Sequence, residues 1–195
     1  MRTKQTNDMV PRIMGKQLKD DPKNTRAAMH LALHMQSQGK FKEAIKIQKK
    51  YFKYATFRGE RWFIYFNQAL CHFALKHKLR ALWATDNAEK ETSKRWEIAK
   101  LRGLIYYNIG DYNKAVKFFV DSFDENLGDT TYKPWKRDDA EVWNLIGQSY
   151  FNLGKIECAQ EAFREASKNE TNEMKKKLFY DRSELMKNIV KKNDK

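Results

Sequence analysis

Apolar residues recur along the chain in amphipathic segments that pair off one after another. Within each segment, large apolar side chains return every three or four residues, the spacing that places them on one face of an α-helix. The pattern predicts first helices at about 25–38, 61–75, 95–109 and 138–153, and second helices at about 41–54, 78–90, 112–125 and 156–168. We therefore expect an all-α protein built from four helix pairs.

The helix pairs are copies of one repeat. In the clearest copy, residues 140–169, bulky, small and aromatic side chains follow a fixed order: Trp143, Ile146, Gly147, Tyr150, Gly154, Ile156, Ala159, Phe163 and Ala166. Equivalent alanines lie at Ala44, Ala81, Ala115 and Ala159, so the copies are 37, 34 and 44 residues apart. Small side chains are needed where two helices cross closely, and larger ones fill the grooves beside them.

This order of residues resembles the tetratricopeptide repeat (TPR), whose period is about 34 residues. The resemblance implies a right-handed TPR α-solenoid of about four helix-turn-helix repeats in a single domain, with repeats at about 24–56, 60–91, 95–126 and 138–169. Apolar stripes in the flanking segments predict an N-terminal capping helix at 7–21 and a C-terminal capping helix at 172–192. Such caps cover the stacking faces that the end repeats would otherwise expose.

Four positions depart from the repeat pattern. Gln48 stands where an aromatic residue is expected, Arg102 replaces a bulky apolar residue, and Lys76 takes the place of the turn glycine. Ser122 stands where a small alanine is expected. The segment 127–136 (LGDTTYKPWK) lies outside the period altogether. We expect its aromatic residues to pack back onto the helices, and a functional loop is the alternative.

Composition supports a folded chain without membrane spans. Hydrophobic residues make up 41% and aromatic residues 13% of the sequence, too many for a disordered chain. No run of about 18 apolar residues is present, so a cytoplasmic protein that does not insert into membranes is expected. Cys71 and Cys158 lie far apart without CxxC spacing, and both are expected to be reduced core residues.

No motif points to catalysis, a cofactor or a metal. The sequence has neither a phosphate-binding glycine loop nor a nucleophile motif. His30 and His34 are one helical turn apart, but no third ligand accompanies them, and Asp138 with Asp139 suits the first turn of a helix. We therefore expect a non-enzymatic protein without catalytic, cofactor-binding or metal-binding residues.

A partner-binding groove is expected on the first helices, at positions that stacking does not use. It comprises Met29, Leu33, Phe63, Phe66, Leu70, Phe73, Lys100, Leu104, Tyr107, Asn144, Gln148 and Phe151. Residues 63–73 supply an apolar row, which either binds a protein or peptide ligand or is covered by the protein's own packing. The main expectation is a scaffold for protein–protein interaction, and self-association through this groove or the end helices is a further possibility.

The net charge of +14 leaves a second class of function open. A basic surface is expected on the second helix of the first repeat, at Lys42, Lys46, Lys49, Lys50 and Lys53. These lysines suit either a solvated outer face or weak, nonspecific binding of nucleic acid, because no base-reading motif accompanies them. A basic nucleic-acid-associated protein, or a component of a phage or other assembly, is therefore an alternative.

A narrower resemblance covers about residues 5–125. The segment Leu18–Arg26, the Gly39-Lys-Phe turn and the Arg61-Trp62 and Arg95-Trp96-Glu97 steps resemble the TPR tails of bacterial and phage family-2 glycosyltransferases. The resemblance implies at most an accessory or detached TPR module, because the DxD metal site of the catalytic half is absent from this sequence.

Overall fold

The computed structural model describes residues 4–92, 95–124 and 137–193, and within these ranges it is entirely helical. The helices are α1 (Lys4–Asp20), α2 (Thr25–Ser37), α3 (Phe41–Phe52), α4 (Arg58–Ala74), α5 (Lys78–Glu91), α6 (Trp96–Ile109), α7 (Tyr112–Asp121), α8 (Asp139–Asn152), α9 (Ile156–Asn169) and α10 (Glu173–Asn193). The all-α prediction is confirmed. The segment 127–136 falls outside the described residues, so its packing stays a prediction.

Consecutive helices pack in the predicted pairs. Contacts group the chain into two compact units, Met1–Ser93 with α1 to α5 and Lys94–Lys195 with α6 to α10. In unit 1, α2 packs on α3 and α4 on α5; in unit 2, α6 packs on α7 and α8 on α9. Helices α1 and α10 pack on α2 and α9, as expected of caps. The assignment of all repeats to one domain stays a prediction.

Within the repeats, two helix ends lie three or more residues from the predicted ones. Helix α4 begins at Arg58, three residues earlier than predicted, because the extended backbone of Phe57 marks its N-terminal boundary. Helix α7 ends at Asp121, four residues early. There the Ser122 hydroxyl donates to the Phe119 carbonyl at 2.6 Å, and Arg137 donates to the Ser122 carbonyl at 3.0 Å. These bonds satisfy terminal carbonyls that a longer helix would have paired internally.

Close helix crossings in unit 2 depend on a glycine against a phenylalanine ring. A Cβ added to Gly103 would lie 2.4 Å from Cδ1 of Phe119, and one added to Gly147 would lie 2.7 Å from Cδ1 of Phe163. Both rings are buried. No real side chain fits at these distances, so glycine permits the two backbones to approach.

Unit 1 uses other residue pairs at the same sixteen-residue spacing. The positions equivalent to glycine and phenylalanine hold Ala32 with Gln48, and Ala69 with Thr85, all of them completely buried. In each pair the first residue is again small and the second is larger. The departure of Gln48 from the pattern leaves α2 packed on α3.

Arg102, which also departs from the repeat pattern, lies over an aromatic pair. Its guanidinium carbon is 5.6 Å from the ring centre of Phe118, which stacks on Tyr106 with ring centres 5.4 Å apart. The side chain is buried against these rings, and the ring faces attract the cation. A long cationic side chain thus replaces a bulky apolar one with little change in packing.

The two cysteines have different surroundings. Cys71 is buried, Gln36 Nε2 donates to its Sγ at 2.9 Å, and burial raises the pKa of its thiol to about 11. Cys158 is exposed, so the prediction that it belongs to the core is wrong. Its neighbour Ala159 takes the buried position, and adjacent helical residues point about 100° apart.

The turn that joins α4 to α5 contains a strained residue. Gly39, Gly110 and Gly154 adopt left-handed backbone with φ of 72°, 94° and 72° in the other turns, and Lys76 adopts φ of 60° at the equivalent place. Left-handed backbone brings Cβ too close to the following carbonyl oxygen in every residue except glycine. Lys76 therefore stores strain in unit 1.

Replacing Lys76 with glycine is expected to stabilise unit 1 by about 1 kcal/mol, because glycine adopts φ near 60° without steric cost. Chemical denaturation followed by circular dichroism measures the change. Lys46→Gly, in the interior of α3, is the matched control and is expected to destabilise by about 1 kcal/mol. A loss of stability in Lys76→Gly would show that the lysine side chain, and not the backbone, determines this turn.

Candidate binding surfaces

In unit 1 the first helices α2 and α4 lie side by side. The Thr25 hydroxyl donates to Glu60 Oε1 at 3.0 Å near their N-terminal ends, and Gln36 Nε2 donates to the Asn67 carbonyl at 3.0 Å near their C-terminal ends. These bonds connect the two helices at two points. The same helices carry four half-buried apolar residues, which together are called here the α2–α4 wall: Leu33, Phe63, Leu70 and Phe73.

The other two groove residues predicted in unit 1 lie in its interior. Phe66 is only 3% exposed, and its ring centre is 6.1 Å from that of the buried Trp62. Met29 is 9% exposed and packs in a cluster with Ala55 and Ile64. Neither side chain offers much surface to a ligand. Their prediction as groove anchors conflicts with this burial, because the rotation of each helix turns them toward neighbouring helices.

The predicted groove residues of unit 2 have a different character, because several of them join neighbouring helices. Lys100 on α6 forms an ion pair with Glu141 on α8. The Tyr107 hydroxyl donates to Gln148 Oε1 at 3.3 Å between the same two helices. A ligand that bound these groups would have to replace contacts that already hold α6 against α8.

The remaining predicted groove residues of unit 2 include one that joins two helices and two that are apolar. Arg182 on α10 donates to Asn144 Oδ1 and ties the C-terminal helix to α8. Leu104 is half-buried against the core of unit 2, whereas Phe151 is 47% exposed. Phe151 is therefore the member of the predicted unit 2 set with the largest apolar surface available to a partner.

The basic surface predicted on α3 is exposed as a continuous face. Its five lysines make no ion pair within the described parts of the chain, and they define the α3 basic face: Lys42, Lys46, Lys49, Lys50 and Lys53. Lys50 and Lys53 lie over the rings of Tyr51 and Tyr54, with Nζ 5.3 Å and 4.9 Å from the ring centres. The face consists of cations without internal counter-charges.

Charged residues of α3 and α5 both affect the buried His72. The buried imidazole of His72 has a pKa below its ordinary value, mainly because of burial and further because of His77, Arg80 and Lys49. Lys49 on α3 and Arg80 on α5 thus act on the same buried group. Sequence periodicity did not reveal Arg80 as part of the basic region, because α3 and α5 belong to different repeats.

Neither a metal-ion site nor a membrane-spanning helix is found among the described residues. No three His, Cys, Asp or Glu side chains in those ranges are close enough to hold a metal ion. No helix there is both long and apolar enough to cross a membrane.

Two segments of unit 2 match a known family of helical repeats. Residues 101–126 and 140–172 match the family model described as tetratricopeptide repeat, and these segments correspond to α6–α7 and α8–α9. No curated protein sequence matches the chain. The two matched segments therefore carry tetratricopeptide repeats, as the order of their small and aromatic residues predicts.

Solved structures extend the likeness over most of the chain. MamA is 23% identical with a TM-score of 0.69, and the match covers 89% of this chain and 94% of that one. TTC0263, a thermophilic TPR protein from Thermus thermophilus, is 17% identical with a TM-score of 0.63, covering 92% and 91%. YrrB, described as a TPR protein with an unusual peptide-binding site, is 11% identical with a TM-score of 0.66, covering 90% and 84%. The fold is that of an α-solenoid of helical repeats, and the predicted fold class is confirmed.

Proposed function

We propose that the protein is a non-enzymatic scaffold whose unit 1 binds an apolar segment of a partner protein through the α2–α4 wall. The observation that carries this proposal is the partial exposure of Leu33, Phe63, Leu70 and Phe73 on two helices that hydrogen bonds connect. Full burial of a large apolar side chain stabilises a complex by about 1.5–3 kcal/mol relative to its exposure, so completing their burial favours binding. Rigid helices also lose little conformational entropy when a ligand binds.

The resemblance to YrrB supports a peptide as the ligand, because that protein has the same fold and is described as having a peptide-binding site. In unit 2, Phe151 and Leu104 are the apolar groups proposed to contact a partner. Lys100, Tyr107, Asn144 and Gln148 are proposed to act mainly by holding α6, α8 and α10 in place. An accessory role beside a glycosyltransferase rests on the sequence resemblance alone.

A pair of matched variants tests the wall. Leu33→Ser with Phe73→Ser removes two apolar side chains from the α2–α4 wall, whereas Leu79→Ser with Trp83→Ser removes two from the exposed side of α5, where they are 80% and 55% exposed. Each protein is tagged and recovered from an extract of its native source, and the bound proteins are quantified. We expect the wall variant to lose at least about 90% of a specifically bound partner, a change of about 1.4 kcal/mol or more.

The α5 variant is expected to retain that partner. Circular dichroism at the temperature of the binding assay must show both variants folded, since half-buried positions contribute to stability. Loss of the partner from the α5 variant alone would contradict the proposal, and so would equal retention by both folded variants.

A further inference from the structure

The excess positive charge of the protein is concentrated in unit 1. Residues 1–93 contain 19 lysines and arginines against 8 aspartates and glutamates, whereas residues 94–195 contain 20 against 17. The formal charge is therefore +11 on unit 1 and +3 on unit 2, whereas an even distribution of charge would give the two units similar values. Such an asymmetry produces a strong attraction for polyanions at one place on the molecule.

Within unit 1 the α3 basic face has the geometry of a linear anion site. Lys42, Lys46, Lys49 and Lys53 follow one another at intervals of three or four residues, which places their side chains in one narrow arc along about 16 Å of helix axis. Glu43 is the single acidic residue of α3. Since the five lysines of the face make no ion pairs in the described ranges, their charges are available to an external partner.

Two aromatic residues follow the face closely in the sequence. Tyr54 is half-buried beneath Lys53, and Phe57, four residues after that lysine, is 43% exposed at the start of α4. An exposed ring a few residues beyond a row of cations suits unpaired bases, which stack on aromatic side chains while lysines contact the phosphates. An acidic polypeptide would gain from the lysines but has no flat groups for the rings, and a duplex keeps its bases stacked internally.

We propose that unit 1 binds single-stranded nucleic acid without sequence preference. Phosphates contact Lys42, Lys46, Lys49 and Lys53, and a base stacks on Phe57. Lysine is a point charge without the planar fork by which arginine reads guanine, so this surface recognises the backbone and the faces of bases in general. The surface lies on a second helix, whereas the proposed protein-binding wall lies on the first helices α2 and α4, so the two activities are separable by mutation.

Fluorescence anisotropy with a labelled 20-nucleotide oligothymidylate, measured over a series of salt concentrations, tests the lysines. Lys46→Glu, Lys49→Glu and Lys53→Glu together are expected to weaken binding at least tenfold at about 0.1 M salt. The slope of log K against log salt should fall in magnitude by about 2, because each phosphate contact on a single strand contributes about 0.7.

The control carries the same change of charge in unit 2, at the exposed Lys175→Glu, Lys177→Glu and Lys192→Glu. It is expected to change the affinity less than threefold. An equal loss in both triple variants would overturn the proposal and leave only a general effect of net charge.

Phe57→Ala separates single strands from other polyanions. We expect it to weaken oligothymidylate binding about fivefold or more, the usual effect of removing one stacked ring, and to leave binding of a 20-base-pair duplex unchanged. Polyglutamate of equal charge should compete poorly. Equal weakening for duplex and single strand, no effect of Phe57→Ala, or competition by polyglutamate as strong as by the oligonucleotide would each overturn the proposal.

Discussion

Replacing Phe66 with alanine is expected to lower the free energy of unfolding of unit 1 by about 3–5 kcal/mol, the usual cost of removing a buried phenylalanine ring. The side chain is 3% exposed and lies against Trp62, which is itself 2% exposed. Truncation would leave a cavity between rings that α4 holds in fixed positions. A loss of this size is a large fraction of the stability of an ordinary domain.

Urea denaturation followed by circular dichroism measures this loss. Phe57→Ala is the control, because Phe57 is 43% exposed and its removal creates no enclosed cavity; we expect it to cost less than about 1 kcal/mol. A similarly small cost for Phe66→Ala would mean that Phe66 faces a ligand groove, as the repeat position alone predicts, and that its burial described above is wrong.

Introducing a methyl group at Gly103 is expected to destabilise unit 2 by about 1–3 kcal/mol, although alanine is the better helix former. The new Cβ would lie 2.4 Å from Cδ1 of Phe119, whose ring is completely buried and has no room to move away. The overpacking penalty exceeds the gain of about 1 kcal/mol that alanine brings to the interior of a helix.

Thermal and urea denaturation of Gly103→Ala are compared with those of Gly15→Ala. A Cβ on Gly15, within α1, would meet no atom within 4 Å, so this control should gain about 0.5–1 kcal/mol. Combining Gly103→Ala with Phe119→Leu should cost less than the two separate changes added together, because the smaller side chain makes room for the methyl group. Strict additivity would show that the two positions do not touch.

The architecture could be predicted from the sequence because it depends on the sizes of residues that recur at fixed intervals. The spacing of sixteen residues between Gly103 and Phe119 and between Gly147 and Phe163 reflects a backbone approach that few other residues permit. Unit 1 lacks these residues, yet Ala32 with Gln48 preserves the interval. The family model matches unit 2 alone, where the characteristic residues are retained.

The binding surfaces were only partly predictable. A repeat position specifies which helix carries a residue, but the exposure of that residue depends on the neighbouring helices. The sequence pattern therefore predicts both Phe63 and Phe66 as groove residues, although Phe63 is half-buried and Phe66 is buried. The contacts of Lys100 with Glu141 and of Tyr107 with Gln148 join residues 41 positions apart. Periodicity places such residues on neighbouring first helices, but it does not specify whether their side chains can form an ion pair or a hydrogen bond.

Photo-crosslinking measures most directly whether the α2–α4 wall is the protein-binding surface. Benzoylphenylalanine is placed at Phe73 on the wall or at Trp83 on α5, the purified proteins are irradiated in an extract of the native source, and adducts are identified by mass spectrometry. We expect a dominant adduct to one partner protein from position 73 and at most weak, unspecific adducts from position 83. A specific adduct that forms from position 83 and is absent from position 73 would show that the α2–α4 wall is not the protein-binding surface.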